Sequence, residues 1–101
     1  MNVWKLFAKK VKECGFTGQV YFNDEGGVDR FVLSVPLSAV KTIVVSRCKL
    51  KWLIRLDNGC KISYDGEERT LTVNDFEMVN VPTTLTIEDG ELVLEVFNPE
   101  R

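Results

Sequence analysis

Between Lys41 and Phe97 the chain is cut into short stretches by Asn58-Gly59, Asp65-Gly66 and Asp89-Gly90. An Asx-Gly pair takes the positive φ angles that a two-residue hairpin turn demands. Three such pairs flanked by apolar residues at every second position therefore dictate local antiparallel hairpins rather than alternating β and α units. The most regular stretch places Cys48, Leu50, Trp52, Ile54 and Leu56 on one face and Arg47, Lys49, Lys51, Arg55 and Asp57 on the other. Cys60, Ile62 and Tyr64 continue the apolar face beyond Asn58-Gly59, and Leu71 with Val73 follow after Asp65-Gly66. Asn74-Asp75 is a weaker break before a strand from Phe76 to Val81, which Pro82 closes. Leu85, Ile87, Leu92, Leu94 and Val96 make a last hairpin about Asp89-Gly90.

Upstream, a short strand over Gln19–Asn23 and an alternating one over Asp29–Val35 flank the turn Asp24-Glu25-Gly26-Gly27. Val40–Val45 is a continuous run rich in β-branched residues, the pattern of a strand buried on both faces. About eight short strands at this spacing predict a sandwich or barrel.

The N-terminus obeys a different period. Val3, Trp4, Phe7, Ala8, Val11 and Cys14 recur at helical spacing, with Lys5, Lys9, Lys12 and Glu13 opposite. Asn2 is placed to cap this helix, Gly15 to end it in a left-handed turn, and Phe16 to make the capping contact. The stripe is expected to pack on the sheet or across a dimer, because an isolated helix of this length is marginal in water. Residues 1–101 thus read as a single domain, mainly β, with a helix over 1–15 and a barrel or sandwich over 18–98.

No apolar run is long enough to span a bilayer, and residues 1–13 lack the apolar core of a secretory signal. Three cysteines, an odd number, do not suggest a disulfide framework in 101 residues. Cys48 and Cys60 are expected as free thiols that act as small hydrophobes, in a reducing cytoplasmic setting. The net charge of −2 hides a segregation: residues 41–61 are strongly basic and residues 62–101 strongly acidic. Cross-strand pairing within one sheet would neutralise both.

The chain has no histidine, which leaves Cys14, Cys48 and Cys60 without the usual base to activate a nucleophile. Asp75 with Glu77, and Glu91 with Glu95, share strand faces, but exposed alternation produces such pairs without any catalytic purpose, and they are expected as solvated surface. No catalytic residue is assigned. Arg47, Lys49, Lys51 and Arg55, with Lys61 on the next strand, could follow a phosphate backbone, although Trp52 lies on the opposite face from these cations.

The runs WLIRLDNG (Trp52 to Gly59), ISYDGE (Ile62 to Glu67), LTVND (Leu71 to Asp75), VNVP (Val79 to Pro82) and LEVFNP (Leu94 to Pro99) resemble the conserved half of a cupin. The likeness is to the sensory domains of arabinose-type transcription regulators and covers residues 41–99. It implies a small double-stranded β-helix barrel. The family's metal ligands would fall at Ser46, Cys48, Trp52 and either Leu85 or Ile87, none of which suits a hard-metal shell. The resemblance therefore implies a metal-free barrel with no cofactor and a cavity lined by Trp52, Tyr64 and Cys48.

The expected function is a non-catalytic binding or regulatory module that meets a protein partner or a small molecule, with a homodimer as one assembly. An inhibitor or phage-type accessory protein would have this size. The alternatives are a metal-free cupin enzyme acting on a polar metabolite and a sheet that binds nucleic acid or another polyanion.

Overall fold

The helix forms where its end signals lie. In the computed structural model, which describes residues 2–99, α1 spans Val3–Glu13. Asn2 Oδ1 accepts the Trp4 amide proton at 2.8 Å. At the other end Gly15 has a φ of 96°, the Phe16 N–H reaches Val11 O and the Gly15 N–H reaches Lys12 O. That pair of bonds is a Schellman cap, and only glycine takes this φ without steric cost. Met1, Glu100 and Arg101, although part of the expected single domain, lie outside the described residues.

Nine strands follow: β1 (Thr17–Phe22), β2 (Val28–Pro36), β3 (Val40–Val45), β4 (Lys51–Leu56), β5 (Lys61–Asp65), β6 (Thr70–Val73), β7 (Phe76–Met78), β8 (Thr83–Glu88) and β9 (Glu91–Phe97). They form two antiparallel sheets, β1-β2-β9-β8 and β3-β4-β5-β6-β7. The protein is mainly β with one N-terminal helix, as its turn signals require. Five consecutive strands staying in one sheet make a meander, whereas a jelly roll is built from Greek keys. The chain changes sheet twice, through the short 3₁₀ turn Leu37–Ala39 and through residues 79–82.

The core lies between the sheets. Phe31, Leu33, Val35, Leu92, Leu94 and Val96 from the first sheet meet Trp52, Ile54, Leu56, Ile62, Tyr64, Leu71, Val73 and Met78 from the second. Helix α1 closes one side of the sandwich, beside the edges β1 and β7. Phe7, fully buried, meets Phe31 edge-on, and Trp4 stacks on Phe31 at 5.4 Å. Burying a side chain such as Phe7 contributes about 2–3 kcal/mol, which anchors an 11-residue helix that would not persist alone.

Four expectations are corrected here. Cys14 and Cys60 are joined in a disulfide that ties the C-terminal end of α1 to the β4–β5 hairpin. Asn58, in that hairpin's turn, also donates its side-chain amide to Cys14 O at 2.9 Å. Sequence spacing could not show this, because the two cysteines are 46 residues apart and meet only once the helix docks. The strand expected from Arg47 begins only at Lys51: residues 46–50 form the β3–β4 turn, Lys49 takes a φ of 62°, and Cys48 is exposed rather than apolar-facing. Val40–Val45 has the expected bounds but is an edge strand, not a doubly buried one, with Val44 58% exposed. The Phe76–Val81 strand stops at Met78, and Val79 lies exposed.

Candidate functional site

Opposite the helix, the sandwich is left open. The strands bordering this side are β8, the far edge of the first sheet, and β3, the far edge of the second. Pairing sets which of their residues point inward. Ile43 and Val45 lie opposite Ile54 and Trp52 on the core side of the second sheet. Leu85 and Ile87 lie opposite Leu94 and Leu92 on the core side of the first. Although they face inward, Val45 is 47% exposed and Ile87 58%, because among the described residues nothing lies over the seam between the two edges.

A groove of about 590 Å³ occupies the end of this seam where Val45 faces residues 83–85. Trp52 and Tyr64, cross-strand partners with ring centroids 5.6 Å apart, line it together with Val45, Leu50, Thr83 and Leu85. The Thr83 N–H donates to the Tyr64 phenolic oxygen at 3.2 Å, bonding the first sheet to the second at the groove. Gly66 N–H donates to Leu50 O at 2.7 Å, and a Cβ on Gly66 would come within 2.5 Å of that carbonyl. The glycine is thus required by close approach, and it fixes the turn that carries Leu50 to the rim.

Of the residues expected to line a barrel cavity, Trp52 and Tyr64 do come together, as nearly buried side chains on the wall of an open groove. Cys48 does not join them. It sits in the β3–β4 turn with its Sγ 3.7 Å from Ser46 Oγ. The Leu50 backbone N–H, and then the Ser46 hydroxyl, hold its thiol below the ordinary cysteine value.

The four cations expected on one strand face, with Lys61 on the next strand, are divided by that same turn. Lys49 lines the seam groove. Lys51 lies on the outer face of the second sheet, 3.7 Å from Asp65. Arg55 and Lys61 are paired neighbours on the same outer face, beyond Leu53 and Ser63, while Arg47 stays in the turn. Asp65, Glu68 and Glu77 line the concave outer face beside Lys51, so the cations make no continuous track. Asp75, Glu77 and Glu91 are exposed as expected, whereas Glu95 is half-buried and ion-paired with Arg30, whose guanidinium also lies 4.2 Å over the Tyr21 ring.

Sequence reasoning missed β8 as half of the site. Leu85 and Ile87 read as part of a last hairpin, and only the strand order shows that they border an open edge. The class defined by the fold is a two-sheet antiparallel β sandwich closed on one side by an N-terminal helix. No protein-family model, curated protein or solved structure matches the chain.

Proposed function

We propose that this protein is a small, non-catalytic binding module that holds a segment of a partner protein in the seam between β3 and β8. The observation that carries this is the incomplete cover over Val45, Leu85 and Ile87, inward-facing side chains on two edge strands with no element of the described residues across them. Natural sandwiches blunt or cover such edges, because unpaired strand backbone invites another chain. Here the opposite side is covered by α1 and pinned by a disulfide, while this side is left apolar. An added strand would satisfy edge backbone groups and place alternate side chains on Trp52 and Tyr64.

Two expected properties belong to this reading. A homodimer would use the same seam, since a second copy offers the same edges. A cytoplasmic location loses the support it drew from the cysteine count, because a Cys14–Cys60 disulfide is most at home in an oxidising compartment. No helix is long and apolar enough to cross a membrane among the described residues.

The test is co-purification from source cells, comparing the protein with a Val45→Lys/Ile87→Lys variant, alongside light scattering of both. A partner, or a second copy, lost only from the variant supports the seam. A partner retained by a folded variant overturns it, as does binding of a small metabolite that leaves Trp52 fluorescence and the seam variant unaffected.

A further inference from the structure

A second groove lies on the side that the helix covers. Strand β1 is the other edge of the four-stranded sheet, and all six of its residues are exposed. Its register with β2 puts Val20 opposite Phe31 and Gly18 opposite Leu33, so Gly18, Val20 and Phe22 point toward the side where α1 lies. The helix does not seal this edge. A concavity of about 410 Å³ is lined by Val11, Lys12, Gly18 and Leu33, and a second of about 330 Å³ by Trp4, Lys5 and Phe22. Both share Ala8, Val20 and Phe31, so they adjoin as the two halves of a groove between helix and strand.

Two small residues keep it open. Ala8 leaves the helix wall shallow, and a Cβ on Gly18 would come 3.0 Å from Leu33 Cδ2. The rim is basic: Lys5 and Lys12 line the two ends, and among the described residues no acidic side chain lines either. Two turns of helix separate these lysines, about 10 Å along the axis. An extended chain covers that distance in about three residues.

We propose that this groove binds an extended peptide segment of a partner protein, apolar in its middle and acidic at its flanks, which joins the first sheet as a fifth strand beside β1. Main-chain pairing with β1 would hold the segment in register. Alternate apolar side chains would enter over Phe31 and Leu33, and carboxylates would meet Lys5 and Lys12. This site is separate from the β3–β8 seam, on the other side of the sandwich, and uses none of the seam's residues.

The probe is a synthetic peptide of alternating valine and threonine with two glutamates at each end, set against the same peptide with lysine flanks. Binding is followed by amide exchange and chemical shifts on the disulfide-intact protein. The acidic peptide should bind at least tenfold more tightly and slow exchange at alternate residues of Thr17–Phe22. N-methylation of its pairing amides should abolish binding. Lys5→Glu/Lys12→Glu, both at exposed positions, should invert the flank preference, whereas Val45→Lys/Ile87→Lys should leave it unchanged. Equal affinity for both peptides overturns the proposal, and so does protection at β3 or β8 in place of β1. Sedimentation with phosphatidylserine vesicles in the absence of peptide binding would also overturn it, by assigning the lysine-rimmed apolar groove to a lipid surface.

Discussion

The Tyr64 phenolic oxygen accepts the backbone proton of Thr83 at 3.2 Å, so a residue of the meander holds the first residue of β8 in the opposite sheet. Its ring packs on Trp52, which places one polar bond at the edge of an otherwise apolar wall. Tyr64→Phe keeps the packing and orphans the Thr83 amide. An unsatisfied, partly buried N–H costs about 1–2 kcal/mol. The urea midpoint should fall accordingly with an unchanged slope, and exchange at Thr83 to Leu85 should quicken. Ser63→Ala, on the outer face, should stay within about 0.5 kcal/mol of the parent. An unchanged midpoint in Tyr64→Phe would show that the sheets do not depend on this bond.

The Cys14–Cys60 bond closes a loop of 46 residues. Chain-entropy arguments give about 4 kcal/mol for a loop of that size, as an upper figure. Cys14→Ser/Cys60→Ser should therefore lose up to this amount, and dithiothreitol should lower the parent's stability by the same step while leaving the variant unaffected. Exchange should rise first in α1, because the bond fastens its C-terminal end. A variant as stable as the parent, or a reductant effect that persists in it, would contradict the assignment.

Cys48 is the exposed free thiol among the described residues, and its pKa is lowered first by the Leu50 N–H and then by the Ser46 hydroxyl. Both donate to the thiolate and so favour ionisation. Its iodoacetamide reaction should rise with pH through a midpoint below that of an ordinary cysteine peptide, since the thiolate is the reactive form. Ser46→Ala should move that midpoint upward. A midpoint at or above the peptide's value would refute the two bonds.

How far the sequence reached depended on the range of each signal. The Asn2 cap, the Gly15–Phe16 termination and the hairpins at Gly59 and Gly90 all act over a few residues, and the structure has each where it was expected. The alternation of Trp52, Ile54 and Leu56, continued by Ile62 and Tyr64, also told correctly which side chains enter the core. Alternation failed at Cys48 and Leu50, because a turn that gives Lys49 a positive φ breaks the two-residue period without an Asx-Gly marker. Arg47 and Lys49 left the expected row of cations for the same reason.

Val40–Val45 shows the deeper limit. Its β-branched run fits a strand between two layers or a strand at an edge equally well, since local propensity does not register neighbours. What made it an edge was the order β3-β4-β5-β6-β7, a relation among strands far apart in the chain. The same holds for β8, and for Cys14 meeting Cys60. The sequence by itself determined the helix, the hairpins at Gly59 and Gly90 and the inward faces of the strands beside them, because these depend on backbone preferences and periodicity within a few residues. Only the tertiary structure decided which edges stay open, where the grooves lie and which cysteines pair, because those follow from how two sheets and a helix close around one core.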